Sequence, residues 1–185
     1  MKPEVRRVAH KLGIDPSDVA YLAAVPDDDL DAFGRAVDDF MLELAREGSI
    51  GVGRLARAIP VSAAAKVAAR LDSPLVVARL AFFNDGDWAA KMAQKLSPEL
   101  LARSVTHLDA GVTARIVDTL SEQRQAEVLA ILLDREQWVA LGDIFGQLSA
   151  ETARRWAAQA GSERFAEILQ MVPAARKRAV EVATA

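Results

Sequence analysis

Six aspartates, Asp27, Asp28, Asp29, Asp31, Asp38 and Asp39, crowd one short stretch of the chain. Carboxylate oxygens in that number suit a hard cation such as Mg2+, which takes oxygen ligands and keeps several waters. The competing reading is local. Asp27–Asp29 follow Pro26 and complement the positive end of a helix, while the others sit on a solvated face. We adopt the local reading and assign no metal ligand. Asn84-Asp85-Gly86-Asp87 opens like a calcium loop, but the position that needs a bidentate glutamate is Lys95, so a turn is expected. Gly48, Gly51 and Gly53 have the look of a phosphate cradle. They lack the lysine and hydroxyl residue that close one and follow a helical pattern, so a flexible connection is expected.

The other reactive side chains are scattered. His10 and His107 are the two histidines. His107 falls near the end of a helix, where a protonated imidazole favours the negative end of the dipole. Neither has a serine and an acid in a recognisable triad order, so no catalytic or cofactor-binding residue is assigned. Trp88, Trp138 and Trp156 lie in separate segments. Tryptophan anchors interfaces but more often packs partly buried, and packing is the expectation. Lys2, Arg6, Arg7 and Lys11 at one end, and Arg176-Lys177-Arg178 at the other, have no aromatics interleaved for stacking on bases. They read as solvated ends, and no nucleic-acid partner is expected.

Composition narrows the field further. The chain has 185 residues and no cysteine, which removes disulfide frameworks, thiol nucleophiles and thiolate metal sites. Its net charge of −3 gives no general pull toward nucleic acid. Hydrophobic residues make up 51%, with 36 alanines against one tyrosine, which favours closely packed helices over sheets. The N-terminus, Met1-Lys2-Pro3-Glu4-Val5-Arg6-Arg7, has no apolar region behind its charges, so no signal peptide is expected. No apolar run approaches the roughly 20 residues of a membrane span. No membrane insertion is expected, and the cytoplasm is the default location.

The elements that must position any site come from a repeat. Leucine recurs at 96, 108, 120 and 132, alanine six residues later at 102, 114 and 126, and Val105, Val117 and Leu129 three beyond that. With slips of a residue the spacing extends outward, from Ile59 to Leu71 and from Ala160 to Val172. The segment from Leu133 to Leu148 departs from it. Each unit opens on a helix-start signal. Ser97-Pro98-Glu99, Asp15-Pro16 and Ser73-Pro74 are the fullest, and Ser121-Glu122, Ser149-Ala150-Glu151 and Ser162-Glu163 are weaker. Offsets six and nine share one helical face. Each unit is therefore a cap and about two turns of helix, too short to persist alone in water. Such helices must stack, with alanine allowing close approach and leucine filling between layers.

The form Leu-Ser/Asp-Pro-Glu-x-x-Ala-x-x-Val/Leu-x-x-Leu, best seen from Leu96 to Leu108 and next from Leu108 to Leu120, resembles the repeats of the cytoplasmic N-terminal domain of MgtE-type magnesium transporters. A similar superhelix occurs in flagellar motor switch proteins. The resemblance implies an all-α, right-handed superhelix of short stacked helices, and, in the transporters, a contribution of acidic residues to magnesium sensing. No family metal ligand matches residue by residue.

The expected organisation is an acidic helical cap over 1–47, a short-helix repeat array over 54–172, and a basic, frayed tail over 173–185. Within the cap, residues 15–47 carry ten acids against Arg35 and Arg46, a local balance of −8. The expected function is a non-catalytic interaction module that docks a protein partner through its helical-repeat surface. A magnesium-responsive regulatory module and an enzyme with an unrecognised helical pocket are the alternatives. The opposite charges of the cap and the tail also permit a head-to-tail homo-oligomer.

Overall fold

The computed structural model describes residues 1–47 and 59–185, with side chains at 1–37 and 59–185. Twelve α-helices, two 3-10 helices and no strand occur among the described residues, so the chain is all-α. None of the described helices is long and apolar enough to cross a membrane. The chain divides into two compact units, Met1–Val52 and Gly53–Ala185. The glycines at 48, 51 and 53 lie outside the described residues.

The first unit holds α1 (Pro3–Leu12), a 3-10 helix (Pro16–Ala24) and α2 (Asp27–Glu47). Proline at the first position fits α1 because its missing N–H would be unpaired there anyway. The helix ends on Gly13, whose φ of 66° permits the Gly13 N–H to reach the His10 carbonyl and the Ile14 N–H to reach that of Ala9. Val5, Val8, Ala9, Val19 and Leu30 form its small core, with Leu22 and Val25 against it. The start signal at Asp15-Pro16 yields a 3-10 helix broken at Val19, not a regular α-helix. Pro26 explains the brevity: it holds Val25 extended and leaves only nine residues between the two prolines' boundaries.

The second unit runs through α3 (Val61–Leu71), α4 (Pro74–Phe83), α5 (Gly86–Ala93), α6 (Pro98–Ser104), α7 (Ala110–Thr119), α8 (Glu122–Asp134), α9 (Trp138–Phe145), α10 (Ala150–Ala160), α11 (Ser162–Met171) and α12 (Ala174–Thr184). A 3-10 turn, Val105–His107, extends α6. Short polar side chains start many of these helices. Ser73, Asp85, Ser97, Asp109, Ser121 and Ser149 each accept a hydrogen bond from the backbone N–H three residues on, at 2.7–3.4 Å. Asp85 is thus a cap for α5. Ser162 is not a cap: Gly161, with φ 78°, occupies that position and Ser162 is the first helical residue.

Packing in this unit falls mainly on second neighbours, with some contact between adjacent helices such as α10 and α11. Each helix from α3 to α10 packs against the second helix after it: α3 on α5, α4 on α6, and so on to α10 on α12. Leu96, Leu120 and Leu132 are buried, as are Ala102 and Ala114 and the trio Val105, Val117 and Leu129. Leu108 and Ala126 are half-buried, with Leu108 packed against the core. Full burial of a leucine contributes about 1.5–3 kcal/mol, enough for several together to hold helices this short.

Two places show how tightly the layers meet. Near the middle, an apolar cavity of 30 Å3 remains between Val77, Met92, Leu101, Leu108, Val117 and Leu120. It is scarcely larger than a water and offers too few polar partners to hold one. Further on, α9 and α11 touch backbone to backbone. A Cβ on Gly142 would lie 2.7 Å from the Met171 Cβ and on top of the Met171 carbonyl group, so only glycine fits. Within residues 173–185, expected to fray, Ala174–Thr184 form α12. Val180 is buried there because α12 packs on α10 as the earlier helices do on their second neighbours.

Candidate functional site

A groove opens where α8 turns into α9 and α11 passes beside them. It has a volume of 440 Å3 and is lined by Leu133, Asp134, Glu136, Trp138, Glu163, Arg164 and Glu167. The turn that builds it is a helix ending of the same kind as that of α1. The Glu136 N–H donates to the Leu133 carbonyl at 3.0 Å, and the Gln137 N–H to that of Leu132 at 3.0 Å. This ending needs a left-handed residue, and Glu136 supplies it at φ 52°. Glycine adopts that conformation freely; a side chain there costs about 1–2 kcal/mol. The Trp138 N–H then closes on the Glu136 carbonyl at 2.8 Å and starts α9 with its half-buried indole at the groove.

The electrostatics are one-sided. The lining holds four acidic residues and one arginine, and Arg164 lies 3.9 Å from Asp134. Glu136, Glu163 and Glu167 have no ion-pair partner among the described residues. Glu163 and Glu167 stand four apart on α11, a spacing at which like charges destabilise a helix by about 0.2–0.5 kcal/mol. Two local penalties therefore coincide at one surface: a left-handed glutamate and a repelling pair. The chemistry on offer is attraction for a cation, with an aromatic face beside it that a guanidinium or ammonium can lie against.

A second polar cluster joins α7, α8 and α10, and it is closed. The Asp118 carboxylate accepts from the Ser149 hydroxyl at 2.9 Å, the Thr152 hydroxyl at 2.6 Å and the Ser149 N–H at 3.3 Å, at the positive end of α10. Arg155 donates to Glu122 and Glu151 at 2.9 Å each and to Gln125 at 3.2 Å. Buried Gln125 donates to the carbonyls of Val117 and Leu120. The groups of this cluster satisfy one another, and their effect is to tie layers together. Arg135 with Glu99, and Arg103 with Asp72, make similar ties.

The residues singled out in the sequence are dispersed. Asp27, Asp28 and Asp29 occupy the first turn of α2, and Asp27 pairs with Lys2 at 2.9 Å. The side chains of Asp38 and Asp39 lie outside the described residues. No group of three or more metal-binding side chains forms among the described residues. His10 and His107 are both exposed and belong to different units. Trp156 is buried beside Phe145, their ring centres 6.0 Å apart, and its indole N–H has no partner. Trp88 is half-buried against the core. Of the three tryptophans, Trp138 alone lines this groove. The groove's other members escaped the sequence reading. They come from two stretches about thirty residues apart, and no local spacing connects them.

Compared with known protein families, with characterised proteins and with solved structures, the chain finds no match.

Proposed function

We propose that the chain is a non-catalytic interaction module whose groove at Trp138 receives a basic segment of a protein partner. The observation that carries the reading is Glu136. A glutamate stands where glycine would relieve strain, and it lines an open groove together with Trp138 and three further acidic residues. Strain retained at a surface points to a role there. The twelve-residue capping pattern, together with packing on second neighbours, supports a superhelix of the kind the MgtE-like resemblance implies, with a long surface suited to docking.

The test uses a fluorescein-labelled peptide of mixed lysine and arginine, with a glutamate-rich peptide as control. The basic peptide is expected to bind, more weakly as salt rises. Trp138→Ala and the pair Glu163→Gln with Glu167→Gln are each expected to weaken it about tenfold, the scale of one lost 1.4 kcal/mol contact. Glu136→Gly separates structure from function. It is expected to raise stability by about 0.5–1 kcal/mol while weakening the peptide. Binding that ignores all these changes would refute the reading.

A further inference from the structure

A second surface, at the start of the second unit, has the opposite character. On α4, Leu75, Arg79 and Phe82 are exposed and spaced i, i+4, i+7, which puts them on one face. On α3, Val67 and Leu71 are exposed one turn apart, with Lys66 and Arg70 beside them. Val67 is 52% exposed, Leu71 60%, Leu75 48% and Phe82 38%. All four lie on two consecutive helices that pack on each other, where open apolar side chains can share one surface. Lys66, Arg70 and Arg79 have no ion-pair partner among the described residues. The one acid in the turn between the helices, Asp72, is held by Arg103.

We propose that this α3–α4 face docks an acidic amphipathic helix of a partner protein. The apolar stripe takes the partner's apolar face, and the three unpaired cations take carboxylates along its flanks. Charge complementarity chooses the occupant: a basic or neutral helix would leave Lys66, Arg70 and Arg79 facing like charge or nothing. The inference rests on the reading of the chain as an interaction module, but on residues separate from the Trp138 groove.

The probe is a labelled synthetic helix with leucines at i, i+4 and i+7 and glutamates elsewhere, read by fluorescence anisotropy on the intact chain. A twin with lysine replacing glutamate is the control. The acidic helix is expected to bind and the basic twin not to. The triple variant Lys66→Glu, Arg70→Glu, Arg79→Glu is expected to weaken binding at least about tenfold, and Leu71→Asp with Leu75→Asp to do the same. These side chains are exposed, so an unchanged circular dichroism spectrum is expected for both variants. Glu163→Gln with Glu167→Gln, at the other surface, is expected to leave the acidic helix bound as before. No binding, equal binding of the two helices, or binding undiminished in the triple variant would overturn the proposal. So would self-association of the chain dispersed by the triple variant, because the occupant would then be a second copy. If the acidic helix fails while the basic peptide still binds at Trp138, this face alone loses its assignment.

Discussion

The stretch from α6 to α8 and the stretch from α9 to α11 meet the same packing demand by different means. In the first, leucines at 96, 120 and 132 and valines at 105 and 117 are buried between capped helices, and a 30 Å3 gap remains beside Val105, Val117 and Leu120. In the second, Gly142 lets two backbones touch, and Phe145, Trp156 and Phe165 fill the space with rings 5.5–6.0 Å apart. A repeated side-chain pattern tolerates small imperfections at every layer. A single backbone contact tolerates none. The groove at Trp138 opens beside the second arrangement, where the period is broken and new surface chemistry has room.

That contrast can be broken at its strongest point first. Trp156→Ala removes the largest fully buried side chain and is expected to destabilise by about 3–5 kcal/mol, against about 2–5 for Leu132→Ala. Chemical denaturation of both variants checks this, and a smaller loss at Trp156 would make the aromatic cluster peripheral. Gly142→Ala comes next. The added methyl overlaps the Met171 backbone, so about 1–3 kcal/mol or more is expected from overpacking. The same substitution at an exposed helical glycine would stabilise, so the sign of the change reads the close approach directly.

Caps give a finer comparison. Ser97→Ala removes an oxygen bonded to the Leu100 N–H at 3.2 Å and is expected to cost about 1 kcal/mol. Ser162→Ala removes no cap bond and is expected to change stability by no more than a few tenths. Equal losses at the two serines would mean that Ser162 caps α11 after all.

The smallest effect lies in the first unit. Bonds from the Ser17 hydroxyl and N–H hold the Asp15 carboxyl below the usual aspartate range. A lowered folded value means that its contribution is complete above the unfolded value of about 3.9 and fades as pH falls through the folded one. Unfolding curves of the parent and of Asp15→Asn should therefore differ by a constant amount above pH ~5 and converge below it. A difference that grows on acidification would reverse the assignment.

Much of this architecture is legible in the residues. Ser73, Ser97, Ser121 and Ser149 announce helix starts because a cap bond is local, closed within four residues. The twelve-residue spacing picks out Leu96, Leu120 and Leu132, which are buried, but equally Leu108, which is only half-buried. Ser162 marks the helix start correctly but does not cap it, because Gly161, at φ 78°, takes the cap position just before it. Gly142 carries no sign of its purpose, since a glycine inside an apolar run looks only like a weak point in a helix. Glu136 is invisible for a related reason: glutamate is a poor left-handed residue, and only the geometry of the turn reveals that it serves as one. The tail from Ala174 was hidden by its surface charge, while Val180 anchors it.

The central claim is that short helices in the second unit persist by packing on their second neighbours. With no cysteine in the chain, spin labels can be placed cleanly at Glu99→Cys and Arg135→Cys, which replace an ion pair bridging α6 and α8 across 36 residues. Electron spin resonance on the native protein should give one short, narrow distance that is lost on unfolding. A long or broad distribution under native conditions would contradict the account.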